Sequence, residues 1–125
     1  MPPRPAGMSG VVADLLVDTD VCIDHLRGAH AFKPRDHRVH YSVITRAELL
    51  AGSAATDAVN ILPGPFRELA VSRLIAERAG ELRTETGVRL PDALIAATAI
   101  EEALALLTRN RGDFTRIRGV RLHAP

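Results

Sequence analysis

Apolar positions along the chain fall into short continuous runs that alternate with longer stretches of helical spacing. Leu15-Leu16-Val17 is a compact apolar run that stops at Asp18, as a buried parallel strand does. In residues 20–27, Val21, Ile23 and Leu26 stand among polar neighbours and Gly28 follows, which predicts a short helix. Residues 29–38 are polar, contain Pro34 and predict a loop. Val39 to Val43 predicts a second strand, and Thr45 to about Ala51 predicts a helix stopped by Gly52. A short helix near 57–62 is expected to break at Pro63-Gly64-Pro65, and Glu68 to Val71 predicts a third strand. Ser72 is placed to cap a helix reaching Thr86, with Ile75, Ala79 and Leu82 on one face and Gly87 after its end. Pro91 opens an Ala-rich helix over 92–103. Leu104 to Thr108 predicts a fourth strand, and Val120 to Leu122 is a candidate fifth. Alternating strands and helices imply an α/β fold: a mainly parallel central sheet with helices on both faces.

Length supports this reading: 125 residues suffice for one compact domain. The expectation is a leader over 1–10 and a single domain over 11–125, with no internal repeat or linker. The leader MPPRPAGMSG is rich in Pro and Gly and lacks an apolar core, so it does not read as a signal peptide. Met8 is an alternative start. The apolar stretches VVADLLV and ALIAATAIEEALALL carry charges and fall short of a membrane span. A cytoplasmic protein is the simple expectation. A single cysteine, Cys22, excludes an internal disulfide framework and a cysteine-only zinc site, and reads as a small core residue.

Acidic residues fall where such a fold keeps its active site. Ligands of open α/β sheets bind beyond the carboxyl ends of the strands. Asp18 ends the first strand, Glu48 lies early in the helix after the second, Asp92 follows Pro91 at a helix start, and Asp113 follows the fourth strand. Gathered carboxylates repel one another unless some are protonated or a cation joins them. Oxygen ligands without a Cys or His cluster favour Mg²⁺ or Mn²⁺, which can activate water and steady an in-line displacement at phosphorus. Plainer readings exist for most of these residues. Thr45-Arg46-Ala47-Glu48 fits a capping box, Asp92 fits a helix cap or dipole partner, and Asp113 fits a turn after Gly112. Asp20 reads as a second ligand or as the cap of the first helix. Asp18 resists such a reading, because a carboxylate at the end of a buried strand is costly unless paired or ligated.

Four blocks then suggest a family. They are Leu16-Val17-Asp18-Thr19-Asp20-Val21-Cys22-Ile23-Asp24; Ser42-Val43-Ile44-Thr45-Arg46-Ala47-Glu48-Leu49-Leu50-Ala51-Gly52; Leu90-Pro91-Asp92-Ala93-Leu94-Ile95-Ala96-Ala97-Thr98-Ala99; and Leu107-Thr108-Arg109-Asn110-Arg111-Gly112-Asp113-Phe114. In this order and spacing, from residue 14 to 122, the chain resembles PIN-domain ribonucleases. It resembles most the VapC-type toxins of bacterial toxin–antitoxin pairs. The resemblance implies a three-layer α/β/α domain and a Mg²⁺- or Mn²⁺-dependent endoribonuclease. Asp18, Glu48, Asp92 and Asp113 match the family's acidic positions, with Asp18 and Asp92 expected as direct ligands. Thr19 falls where a hydroxyl often supports the metal site, and Asn110 lies in the Thr-x-Asn stretch. Asp20 stands where Asn or Ser is commoner. The resemblance also implies a homodimer held inactive by a cognate antitoxin, whose terminal segment lies near the active site.

Charge adds an expectation about RNA. The net charge is +1, yet Arg109, Arg111, Arg116, Arg118 and Arg121 face only Asp113 in the last 18 residues. Such a patch suits phosphate contacts, which give affinity and salt dependence without reading bases. A solvated surface, or pairing with a partner's acids, is the plainer reading. Aromatics make up only 3% of the chain, so recognition by base stacking is not expected. His25, His30, His37, His40 and His123 lack zinc spacing and read as loop or surface residues. Two further functions compete. Asp18-Thr19-Asp20-Val21 also fits the nucleophile motif of haloacid-dehalogenase-type phosphatases, a chemistry that wants a downstream Lys, whereas Lys33 is the only one. A non-catalytic interaction module with the same fold is the other.

Overall fold

The structure is a computed structural model that describes residues 13–27, 37–52 and 66–124. Its elements are β1 (Asp14–Val17), α1 (Thr19–Arg27), β2 (Arg38–Ser42), α2 (Val43–Ala51), β3 (Arg67–Leu69), α3 (Arg73–Thr86), α4 (Leu90–Glu101), β4 (Ala105–Leu107) and α5 (Arg111–Thr115). The expected leader, most of the 29–38 loop and the helix near 57–62 lie outside the described residues. Four strands form one sheet in the order β3-β2-β1-β4, and every pair is parallel. Val120–Leu122 does not become a strand: Leu122 makes a single parallel bridge with Leu106. Val120 is still engaged in the preceding turn, where its N–H donates to the Ile117 carbonyl.

Alternation along the strands sends side chains to two cores. Leu16 and Leu106 join Ile75, Ala79 and Leu82 of α3, Ile95, Ala96 and Ala99 of α4, and Phe114 of α5. Val17, Val39, Tyr41 and Leu107 join Val21 and Cys22 of α1, Leu49 of α2 and Phe66. The sheet is therefore covered on both faces, giving three α/β/α layers. Leu15, Leu16 and Val17 are all fully buried, which is why β1 reads as an unbroken apolar run.

Caps decide where the helices begin and end. Ser72 accepts from the Ile75 amide at 3.1 Å and starts α3, and Gly87 ends it at a φ of 73°. Helix α2 starts two residues before the expected Thr45, because Ser42 serves as its cap and accepts from the Ile44 amide. Helix α4 also starts at Leu90 rather than at residue 92, with Pro91 in its first turn. It ends at Glu101 rather than 103, where Ala103 turns left-handed at a φ of 55°. The Ala103 amide donates to Ile100 and the Leu104 amide to Ala99, the pattern that normally carries Gly. An Ala-rich run hides this stop from the sequence, since Ala is otherwise the best helix former. Among the described residues, no helix is long and apolar enough to cross a membrane.

Ala103 supplies a test of the backbone. Its left-handed conformation costs about 1–2 kcal/mol, part of which Gly would return through its freer unfolded chain. Ala103→Gly is expected to stabilise the protein by roughly 0.5–1 kcal/mol. A higher urea midpoint with an unchanged slope would show it, and a lower midpoint would contradict the cap.

Candidate active site

The chain runs from β1 to β2 on one side of the sheet, while β4 lies against β1 on the other. The order reverses between β1 and β4, and there the carboxyl ends leave a crevice. Asp18 follows β1 and Thr108 follows β4, so topology places both at this point. The Asp18 amide donates to the Leu107 carbonyl at 2.9 Å, extending the ladder by one residue. Its own carbonyl accepts from Val21 and Cys22, so Asp18 also begins α1.

Asp18 is only 6% exposed. Oδ1 accepts the Thr19 amide and Oδ2 accepts the Thr108 hydroxyl, each at 2.8 Å. Burial nevertheless pushes its carboxyl up to about 6, helped by the charges of Asp20 and Asp92; the two hydrogen bonds only partly oppose this. Asp20 lies inside the first turn of α1 rather than at its cap. It reaches the β4–α5 connection, where Oδ1 accepts the Arg109 amide at 3.3 Å.

Glu48 lies on α2. With Ser42 as the cap, Thr45 and Glu48 do not form the capping box that their spacing allows. Thr45 is fully buried. Its hydroxyl meets the Thr19 hydroxyl at 3.0 Å, and Thr19 donates to Glu48 Oε1 at 2.6 Å. Asp92 lies half-buried in the first turn of α4. Burial raises its carboxyl, Arg89 opposes the rise, and Glu48, Asp113 and Asp20 add to it. Asp113 is exposed in the first turn of α5, where Oδ2 accepts from Asn110 Nδ2 at 2.7 Å. The Asn110 amide in turn donates to the Thr108 hydroxyl at 3.0 Å.

The structure thus brings Asp18, Glu48, Asp113 and Asp20 around Asp92 at one end of the sheet, each interacting with it through charge. Hydroxyls and amides link them: Asp18, Thr108, Asn110 and Asp113 on one side, Thr19, Thr45 and Glu48 on the other. Among the described residues, no three His, Cys, Asp or Glu side chains form a ready-made cation cage. Sequence reasoning did not single out Thr108 and Thr45 as site residues. For Thr108 a signal existed, since like Asp18 it is a polar residue closing a buried apolar run. For Thr45 there was none, because its partner lies 26 residues away.

The arginine-rich end is partly engaged. Arg109 pairs with Asp24 at 2.9 Å, Arg111 donates to the His123 carbonyl, and Arg121 donates to the Ala103 carbonyl. Arg116 and Arg118 are exposed. His25 lies against Phe66, and His37 meets His123 edge-on. His40 lies beside the Leu15 carbonyl, and Cys22 is a buried core residue, as expected.

A parallel sheet with acids at its switch point defines the class, and comparison with known proteins agrees. A family profile described as PIN domain matches residues 15–120. The chain belongs to the PIN-domain family, and within it to the VapC type. It is 36% identical over 113 residues to Ribonuclease VapC10 of Mycobacterium tuberculosis, an alignment covering 80% of this chain and 85% of that protein. A toxin–antitoxin complex from Klebsiella pneumoniae contains a chain 33% identical at a TM-score of 0.68, covering 86% of this chain and 95% of that one. VapBC-5 of M. tuberculosis, a member of the VapBC family of toxin–antitoxin systems, is 28% identical at a TM-score of 0.63, covering 88% and 99%.

Asp18 makes stability depend on pH in a defined direction. Between about 4 and 6 the folded state keeps a proton that the unfolded chain has released. Stability is therefore present in acid and lost as pH rises through this window, by on the order of 2–3 kcal/mol. Asp18→Asn is expected to raise the melting temperature of the metal-free protein at pH 7.5 by several degrees and to flatten its fall above pH 4. A lower melting temperature at pH 7.5 would contradict the strained carboxylate.

Proposed function

We propose that this protein is a metal-dependent endoribonuclease, the toxin of a toxin–antitoxin pair, which hydrolyses RNA phosphodiester bonds. One observation carries the reading: a buried carboxylate at the switch point, pushed up to about 6, with the Asp92 carboxyl also raised by burial and by the acids around it. Such a cluster is poor in compensating charge and fits a hard divalent cation, since its donors are oxygens. Asp18 and Asp92 would hold Mg²⁺ or Mn²⁺, and Glu48 and Asp113 would complete the shell, directly or through water. The ion supplies Lewis acidity that activates water and offsets charge developing on the phosphate.

The chain's own residues do the rest. Thr108 and the Thr19 amide hold the Asp18 carboxylate in one orientation. Thr19 orients Glu48, and Asn110 orients Asp113. Arg109, Arg111 and Arg116 bind RNA phosphates around the acidic end. The domain over 11–125 works in the cytoplasm as a homodimer, restrained by a cognate antitoxin. Similar solved chains come from toxin–antitoxin complexes, which supports that partner. The VapC10 relative, named a ribonuclease, favours RNA cleavage over the phosphatase and binding-module readings.

Purified protein freed of antitoxin would be incubated with total RNA and Mg²⁺, Mn²⁺ or chelator, beside Asp18→Asn and Asp92→Asn. Discrete fragments that need metal and both acids are expected. A folded wild type that cuts nothing, or a fully active Asp18→Asn, would overturn the assignment. In chelator, RNA affinity should fall steeply with salt. Removing Arg109, Arg111 and Arg116 together should reduce the logarithmic slope by about 2; an unchanged slope would remove these arginines from the interface.

A further inference from the structure

Thr45 has no part in the reaction as described, yet it stands behind one of its acids. It is fully buried on the turn of α2 that precedes Glu48. Its hydroxyl lies 3.0 Å from that of Thr19, which gives its proton to Glu48 at 2.6 Å. A hydroxyl has one proton to donate. Thr19 is therefore the acceptor in its pair with Thr45, and Thr45 is the donor. The direction of the chain follows: Thr45 to Thr19 to Glu48. Other helical threonines behave differently. Thr84, Thr86 and Thr98 turn their hydroxyls back to carbonyls of their own helix, four residues earlier. The partner of Thr45 is a side chain on another helix.

We infer that Thr45 is a positioning residue, which turns the Thr19 hydroxyl toward Glu48 and holds that carboxylate at the acidic end of the sheet. The physical basis is geometric. A β-branched side chain in a helix has few rotamers, and full burial removes competing water, so Thr45 is a fixed reference. Glu48 is long, and one charge-assisted hydrogen bond selects its rotamer. Without the Thr45 proton, the Thr19 hydroxyl is free to rotate and the Glu48 carboxylate loses its fixed donor. The consequence for catalysis rests on the ribonuclease reading.

Thr45→Val keeps the shape and removes the hydroxyl, and Thr45→Ser keeps the hydroxyl. With the full chain, Mn²⁺ and a single-stranded RNA, Thr45→Val should lose about tenfold in kcat with KM little changed. Thr45→Ser should recover most of that loss, and Thr45→Val should add little in a Thr19→Val background. An unchanged kcat, equal losses in the Val and Ser variants, or losses that multiply in the double variant would each overturn the inference. The same proteins unfolded in urea, without RNA or metal, supply a second readout. Losses smaller in the double variant than the sum of the single ones support the hydroxyl chain, and additive losses overturn it. This cycle separates two failures: a wild type that cuts no RNA while its hydroxyls remain coupled sinks the ribonuclease reading and leaves the positioning contact standing.

Discussion

Burial of the Asp18 carboxylate is the constraint on which this site depends. Removing a carboxylate from water disfavours its charge, and neighbouring acids add to the strain. Two hydrogen bonds, from the Thr19 amide and the Thr108 hydroxyl, offset part of it but leave the carboxyl at about 6. The Thr19 amide is the next in the chain, but the Thr108 hydroxyl reaches Asp18 only because β1 and β4 are neighbours. The arrangement is a local loss of stability, of the kind active sites often carry.

The helices turn one strained acid into a site. Asp20, Asp92 and Asp113 each occupy the first turn of a helix, and Glu48 stands on a fourth. Helix N-termini carry partial positive charge, which eases the presence of acids there. Parallel strands all end on one side of the sheet, so α1, α2 and α5, which follow β1, β2 and β4, begin on that side; α4 follows α3 but leads into β4, so it ends where the strands start and begins among the acids. Covering both faces with α1 and α2 on one side and α3, α4 and α5 on the other holds these starts in place.

Hydroxyls then decide orientation. Thr108 serves Asp18 and receives the Asn110 amide, while Thr19 joins Thr45 to Glu48. Arg109 lies close by but pairs with Asp24, so part of the positive charge read from the sequence is balanced within the domain. A phosphate that engages Arg109 competes with this pair, whose exposed arginine makes it a weak one.

Much of this was legible in the chain itself. An apolar run ending in Asp18, Ser72 and Gly87 around an amphipathic helix, and Pro91 before an Ala-rich one are local signals, because capping and burial act over a few residues. They located β1, α3 and α4 and pointed to the acidic residues. What tertiary structure decided is everything that needs two distant segments to meet. Ser42 displaced Thr45 as the cap of α2, Ala103 stopped α4 where helix propensity alone would continue, and Leu122 found one bridge instead of a strand. Above all, the pairing of β1 with β4 brought Thr108 to Asp18 across 90 residues, and α1 against α2 brought Thr45 to Thr19. Hydrogen bonds of that kind leave no periodic trace, since only the packed sheet and helices determine which side chains face each other.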